Sequence, residues 1–186
     1  MEKKPGSNRL DPRMLDHVKI RWDLRPGDIG SVVSLHGVLY SQEYGYDHTF
    51  EAYVAAGAAE FAQAYDPHTD RLWTAEAGGQ TVGSIAIVKR SESEAQLRWF
   101  LIHPNWRGLG LGQILLQKAL QFSRECGYRG IFLWTVSYLT IATHLYKSAG
   151  FKKTEEKTSR LWGQMITEEL YILQLATSSQ RNLKSS

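Results

Sequence analysis

The sequence predicts an α/β fold in a single domain, and three observations carry that prediction. The chain has 186 residues, the size of one domain with an ordinary hydrophobic core. Hydrophobic residues make up 42% of it and charged residues 22%, a composition that excludes disorder throughout. Apolar runs alternate with segments of helical periodicity, in the order β-α-α-β-β-β-α-β-α-β-β.

The first half of the chain is predicted to hold a strand, two helices and a β-hairpin. The strand stops at Pro26-Gly27, a turn signal, and Asp28 is favourably placed in the first turn of the next helix. The hairpin crosses a glycine-containing turn. The predicted ranges are 20–25 for the strand, 28–40 and 48–65 for the helices, 71–77 and 81–89 for the hairpin, and a loop over 41–47.

The second half is predicted to alternate strands with amphipathic helices. Gly127 and Gly150 end the two helices, and Ser137 is predicted to cap the second one. The predicted strands are 97–102, 131–136, 151–157 and 170–175, the first of these helices is 111–126, and residues 158–169 separate the last two strands.

The two ends of the chain are predicted to lie outside the domain. Residues 1–19 are polar and contain two prolines, so we expect a loosely held arm. Residues 20–175 carry the periodic segments and form the predicted domain. Residues 176–186 are polar and lack periodicity, which predicts a frayed tail.

The stretch between residues 97 and 120 predicts an anion site. A strand, a glycine-rich loop and a helix follow one another here, and a helix start offers unpaired N–H groups and partial positive charge. Gly108, Gly110 and Gly112 lack the β-carbons that would keep a phosphate away. A P-loop is excluded because the chain has no Gly-Lys pair. A dinucleotide loop is excluded by the G-x-G-x-G spacing and by the absence of an acidic residue in the next strand.

The remaining pattern, R-x-x-G-x-G at Arg107, Gly110 and Gly112, resembles the acyl-CoA loop of the GNAT N-acetyltransferase superfamily. A second family block follows at 133–151 and ends in L-Y-x-x-x-G-F. The chain is most similar to the acetyltransferase half of proteins that carry a MarR-type winged-helix regulator in front, as in LRPGDIGSVVSLHGVLYSQEYGYD and WGQMITEELYILQL. Because nineteen residues cannot hold a winged helix, we expect the acetyltransferase part without that regulator.

The resemblance implies a mixed, mostly antiparallel sheet with about four helices, and acetyl-CoA as co-substrate without a metal. It also implies that the strand ending at Ile102 splays away from the strand at 131–136, leaving backbone groups free for the pantetheine amides. The residues implied to contact acetyl-CoA are Phe100, Leu101 and Ile102 in the strand, and Arg107, Gly108, Leu109, Gly110, Leu111, Gly112 and Gln113 in the loop and helix start.

Tyr146 occupies the tyrosine of the family's L-Y-x-x-x-G-F block, where many members use the phenol as a general acid. A phenol with a pKa near 10 stays protonated at neutral pH and can protonate a thiolate. The alternative is a core tyrosine on an amphipathic helix. Many members carry Asn seven positions earlier, where this chain has Leu139. The polar contact of that Asn is then absent or supplied by Ser137 or Thr140.

The acceptor is expected to be a small-molecule amine or an exposed protein amino group. In the resembled fold the first two helices and their loop cover the acceptor side, so Glu43 and Tyr44 are candidates for substrate contact, with a solvated loop as the alternative. The general base stays open among Glu43, His36, His103 and a water relay. The rings of Tyr40, Tyr44, Tyr46 and Trp162 are equally candidates for stacking on an amine or for the core.

Charge and composition narrow the function classes further. The net charge of +3 without a long basic run does not predict nucleic-acid binding. The chain has no apolar leader and no run of membrane-spanning length, and a single cysteine, Cys126, which together predict a cytoplasmic protein. The histidines lack metal-ligand spacing. A homodimer is possible, and an acetyl-CoA sensor with little turnover is the alternative to an enzyme.

Overall fold

A computed structural model describes residues 12–175 of the chain, and it shows a seven-stranded sheet with helices on both faces. The predicted α/β fold and the predicted order of elements are confirmed. The strands are β1 Lys19–Arg21, β2 Arg71–Ala77, β3 Gln80–Lys89, β4 Glu94–Ile102, β5 Gly130–Val136, β6 Lys152–Leu161 and β7 Gln164–Gln174. The α-helices are α1 Asp28–Tyr44, α2 His48–Ala64, α3 Leu111–Glu125 and α4 Thr140–Ser148, and two 3₁₀ helices cover Pro12–His17 and Pro104–Trp106.

The segment before β1 is attached to the domain as far as the structure describes it. Leu15 and Val18, within the segment predicted to be a loose arm, are partly buried and pack against the core. Residues 1–11 and 176–186 lie outside the described residues, so the predicted arm and tail stay predictions there.

The strand order is β1-β2-β3-β4-β5-β7-β6, and each neighbouring pair is antiparallel except β4 and β5. The parallel β4–β5 pair is short. It joins residues 94–96 to residues 130–132 and goes no further. Because β4 continues to Ile102 and β5 to Val136, the two strands diverge over their second halves. The sheet therefore contains a gap at its centre.

Two apolar clusters pack on the two faces of the sheet. One is built around α3 and includes Leu111, Leu115 and Ile131, all at most 1% exposed. The other is built around α1 and α2 and includes Val32 and Val54, which are equally well buried. The gap between β4 and β5 thus lies between two rigid layers of helices.

A β-bulge in β4 changes which side chains face each cluster. Arg98 pairs with Ala86 and Leu101 with Ser84, so β4 holds one residue more than β3 in this interval. Trp99 takes a left-handed φ of 47°, and its carbonyl accepts a hydrogen bond from the Ser84 hydroxyl at 2.6 Å. Before the bulge the odd-numbered residues of β4 face the α3 cluster, and after it the even-numbered residues do.

Three local predictions were wrong. Helix α1 continues to Tyr44 instead of ending at Tyr40, because Gly45 at φ 71° caps it with hydrogen bonds from its N–H to the carbonyls of Ser41 and Tyr40. Helix α4 starts at Thr140 without a side-chain cap, and Ser137 lies outside it.

The third concerns residues 158–169, which were predicted to separate two short strands. They belong instead to a long hairpin, in which β6 and β7 pair up to Leu161 and Gln164. Trp162 and Gly163 form its turn, both with positive φ, as a tight hairpin requires.

Candidate active site

A cavity of about 320 Å³ opens at the gap between β4 and β5. Its walls come from the second halves of both strands, from α1 and α2, and from the segment that leads into α4. Since β4 forms no ladder with β5 beyond residue 96, backbone groups of Phe100, Leu101 and Ile102 on that side have no partner in β5. The structure therefore brings these three predicted residues to the cavity wall.

The glycine-rich loop that follows β4 leads directly into the N-terminus of α3. Gly108 and Gly110 have φ of 76° and 91°, a conformation that side chains rarely adopt. A β-carbon at either position would meet no atom within 4 Å, so the space beside the loop is open. Gly110 caps α3 without a side-chain hydrogen bond, and the first N–H groups of the helix have no intrahelical partners. This arrangement fits a phosphate group.

Gly112 has a packing role in addition to the phosphate contact predicted for it, which stays a prediction. It lies inside α3, and a β-carbon there would lie 3.3 Å from Leu145 Cδ1 and 3.4 Å from Phe100 Cζ. Its lack of a side chain therefore allows α3 to approach β4 and α4 closely.

A second cavity of about 350 Å³ lies between the start of α3 and α4. Its lining residues are Gly110, Gln113, Thr140, Ile141, His144 and Leu145. It adjoins the open side of the glycine loop, so the loop faces free space on the side where an elongated phosphate ligand would extend. Of the other predicted contact residues, Leu109 is half-buried and Leu111 is 1% exposed.

Arg107 binds Glu43 across the entrance of the larger cavity. Its two terminal nitrogens each donate to a Glu43 carboxylate oxygen at 2.7 Å, and its Nε donates to the Ile102 carbonyl at 2.9 Å. These hydrogen bonds hold the pKa of Glu43 below its usual value. The structure thus brings a predicted cofactor residue and a predicted substrate residue together as an ion pair.

Tyr146 lies on α4 and lines the cavity, although its side chain is only 4% exposed. Its ring packs beside Phe100 and Phe151, each with a centroid distance of 5.9 Å. Burial raises the pKa of Tyr146 above its usual value. The phenol is therefore protonated throughout the physiological pH range.

Aromatic side chains form the wall of the cavity on the side of α1 and α2. Tyr44 lies 5.3 Å from both Tyr40 and Tyr138 between ring centroids. The hydroxyl of Tyr138 donates to that of Tyr46, whose ring lies 4.8 Å from that of Trp162. Tyr44 accordingly faces the cavity from the last turn of α1 and not from the loop that was predicted to hold it.

The other candidates for a general base are poorly placed or poorly basic. His103 caps the short helix at 104–106, where its Nδ1 accepts from the N–H of Asn105 at 3.3 Å. His36 lines the cavity, but burial lowers its pKa to about 4. Its Nδ1 lies 2.8 Å from the Val32 carbonyl, so Nδ1 carries the proton and the ring is neutral at pH 7.

Arg98 was missed by the sequence analysis and lines the same cavity. The signal was present, since it is a lone charge in the apolar run LRWFLI.

Between residues 12 and 175 we find no group of three or more acidic, histidine or cysteine side chains placed to hold a metal ion. In the same part of the chain, no helix has the length and apolar character needed to cross a bilayer.

Comparison with protein families gives a match to the Acetyltransferase (GNAT) family over residues 37–151, more than half of the chain. Among similar proteins, an uncharacterized N-acetyltransferase of Schizosaccharomyces pombe is 32% identical over 117 residues, covering 62% of this chain and 72% of that protein. N-acetyltransferase family 8 member 2 of Rattus norvegicus is 33% identical over 53% of this chain. The match spans only 46% of that rat protein.

Solved structures share the fold at low sequence identity. An acetyltransferase from Streptococcus agalactiae superposes with a TM-score of 0.70 at 21% identity, covering 86% of this chain and 99% of that one. A Salmonella typhimurium protein solved with its cofactor acetyl-CoA gives 0.69 at 18% identity, covering 86% and 95% of the two chains.

Proposed function

Because the chain belongs to the GNAT family of acetyltransferases, we propose that it transfers an acetyl group from acetyl-CoA to a small primary amine. The observation that carries the proposal is the order of three features along the chain's central strands: the open glycine loop, the gap between β4 and β5, and the buried phenol of Tyr146 in the cavity at that gap. A cavity of about 320 Å³ is of the size that small-molecule sites have.

The pyrophosphate of acetyl-CoA would lie against the N–H groups at the start of α3, beside Gly108 and Gly110. Three features support this position: the open space next to both glycines, the uncapped helix start and the positive end of the helix dipole. Arg107 would contribute its positive charge at the edge of this site. Since Glu43 holds its guanidinium, Arg107 would act mainly by fixing the loop against α1.

The pantetheine arm would run along β4, where Phe100 to Ile102 offer backbone groups that β5 does not use. When bound, acetyl-CoA supplies an activated acyl group as a thioester. The chain's own residues would align that arm along β4.

Tyr146 is our candidate for the group that stabilises the departing sulfur. As the amine nitrogen bonds to the carbonyl carbon, the C–S bond breaks and negative charge develops on sulfur. Because the pKa of the phenol is raised and that of a thiol is about 8.5, proton transfer from the phenol to the sulfur is unfavourable by itself even after that bond has broken. The hydroxyl would therefore donate a hydrogen bond to the sulfur as its charge develops. It would give up its proton only as the phenolate regains the proton that the attacking nitrogen releases.

Removal of a proton from the ammonium form of the acceptor, which must precede attack by the neutral amine, is assigned to water. Glu43 is occupied by Arg107 and its pKa is low, while His36 holds its proton on Nδ1 and is weakly basic. A chain of waters along the tyrosine hydroxyls of the cavity wall would reach bulk solvent near Tyr138, which is 40% exposed.

Several broader features stay proposals from the sequence. These are the domain limits at residues 20 and 175, the cytoplasmic location, the lack of nucleic-acid binding, a possible homodimer and the relationship to the acetyltransferase half of MarR-type regulator fusions. DNA binding that falls steeply with salt would contradict the third.

Calorimetric titration with acetyl-CoA tests the cofactor site. We expect micromolar binding by the wild-type protein, loss of binding in Gly110→Trp and retention in Gly27→Trp. Gly27 is the matched control because it caps α1 with φ 96° and has the same open surroundings. A folded wild type that binds no acetyl-CoA, or equal binding by both variants, would overturn the assignment. Release of free thiol with a panel of amines then tests turnover.

A further inference from the structure

Arg98 is the charged side chain of the cavity wall that has no ion-pair partner within residues 12–175. Glu43 and Arg107, also in the wall, neutralise each other at 2.7 Å. Glu168 pairs with Lys157 at 3.3 Å. The guanidinium of Arg98 instead lies over two rings, 4.8 Å from the centroid of Trp99 and 5.8 Å from that of Tyr53.

The chain makes room for this guanidinium at a cost in helix propensity. Gly57 occupies the interior of α2, where glycine is less favourable than alanine by about 1 kcal/mol. A β-carbon at residue 57 would lie 2.7 Å from Nη2 and 2.8 Å from Nη1 of Arg98. The guanidinium therefore packs closely against α2 at Gly57 and against the rings of Trp99 and Tyr53.

The position of Arg98 along β4 relates it to the reacting end of the cofactor. In the proposed function the pantetheine runs from Ile102 towards Phe100, so the thioester ends near Phe100 and Tyr146. Arg98 comes next along the strand, before the bulge, and contacts α2 on the acceptor side. A group bound to Arg98 would thus belong to the acceptor and not to acetyl-CoA.

We propose that Arg98 binds a carboxylate of the acceptor, which is a primary amine with an acidic group and an apolar, aromatic body. This inference rests on the proposed function and names its substrate class. A planar guanidinium binds a carboxylate through two parallel hydrogen bonds. The tyrosine, phenylalanine and tryptophan rings of the wall suit the body of such a molecule.

The energetics agree with a site that receives an anion. Burial lowers the pKa of Arg98, which means that its charge is poorly solvated by the protein around it. A carboxylate would compensate that cost, whereas an ammonium group without an acid would not.

The test compares an amino acid with its uncharged counterpart in binding and in turnover. N-acetyl-L-phenylalanine and N-phenethylacetamide are titrated as product analogues, and L-phenylalanine and phenethylamine are used as substrates in the thiol-release assay. The variants are Arg98→Gln, Arg98→Lys and, as the matched control, Arg160→Gln, an exposed arginine on β6. Each substrate is compared across variants, so the difference in basicity between the two amines cancels.

We expect Arg98→Gln to weaken binding of the acid and to raise its KM by tenfold or more, with less than a twofold change for the uncharged compound. Arg98→Lys should restore part of the loss, and Arg160→Gln should change neither compound. Equal effects on both compounds, or tighter wild-type binding of the uncharged analogue, would overturn the proposal.

The experiments test the proposed acetyl transfer and the proposed carboxylate site at Arg98 independently. If the wild type binds acetyl-CoA but releases no thiol with any amine, the proposed function fails, while titration of the product analogues still decides the carboxylate site. If Arg98→Gln does not fold, the preference of the wild type between the two analogues decides it.

Discussion

Replacement of Tyr146 by phenylalanine separates a chemical role of its hydroxyl from a packing role of its ring. The ring is 4% exposed and packs against Phe100, Phe151 and Tyr171, and phenylalanine preserves those contacts. Tyr171 in the same cluster provides the control. It is 1% exposed, and its hydroxyl donates to the carboxylate of Glu169 at 3.0 Å.

The two variants are expected to have opposite effects. Tyr146→Phe should lower kcat by about 100-fold or more, as loss of a general acid does, and change the free energy of unfolding by less than about 0.5 kcal/mol. Tyr171→Phe removes a buried hydrogen bond to a charged group, worth about 1.5–3 kcal/mol. In a domain of this size that corresponds to a decrease in Tm of roughly 3–10 °C, with kcat nearly unchanged.

Thiol release at saturating acetyl-CoA and amine measures kcat, and thermal unfolding followed by circular dichroism measures Tm. The reasoning is refuted if Tyr146→Phe retains more than a tenth of the wild-type kcat. It is also refuted if Tyr171→Phe lowers kcat as strongly, since the cluster would then act through packing alone.

Three further predictions concern ionisation and helix stability. Glu43→Gln should lower the free energy of unfolding at pH 7 by less than about 1 kcal/mol, because Glu43 and its partner Arg107 are both partly exposed. In urea titrations the difference should be lost as the pH falls through the lowered pKa of the Glu43 carboxyl. His36 has a pKa of about 4 in the folded protein and of roughly 6.5 in the unfolded chain. Its contribution to the free energy of unfolding is therefore complete above pH 6.5, and about 3 kcal/mol of it is lost as the pH falls to 4. His36→Leu should make the free energy of unfolding depend less on pH in this range, and an unchanged dependence would contradict the lowered pKa of His36. Gly30→Ala, at an exposed site in α1 with open space around it, should raise stability by about 0.5–1 kcal/mol. Gly57→Ala in α2 should raise it by less, because a β-carbon there would displace the Arg98 guanidinium; equal shifts in Tm would argue against that contact.

Much of the fold could be predicted from the sequence because its signals are local. Strand β2 begins and ends where predicted, and α3 ends within one residue of its predicted end. The hairpin turn at Trp162-Gly163 was missed because tryptophan in a left-handed conformation gives no sequence signal of the kind that Asn-Gly gives. The end of α1 was missed because Ser41 to Tyr44 are polar or aromatic and extend the helix only through the cap at Gly45.

The candidate site was less predictable because it depends on long-range pairing. Sequence spacing indicated the glycine loop, and the resemblance to the family indicated Tyr146, but neither showed that Arg107 would bind Glu43, sixty-four positions earlier. Nor did either show that Arg98 would have no ion-pair partner among residues 12–175, because that depends on the position of every acidic neighbour in the fold.

Because of the bulge at Trp99, the direction of the side chains in β4 depends on the number of residues in the strand. The one additional residue at the bulge determines which face of the sheet the side chains of each half of β4 point to. Deleting one codon between residues 98 and 100 would rotate every side chain on one half to the opposite face, exchanging the wall of the acceptor cavity with the packing surface for α3. Trp99 is 7% exposed within the cluster around α1 and α2, so both the length of the strand across the bulge and the side chain at residue 99 are constrained.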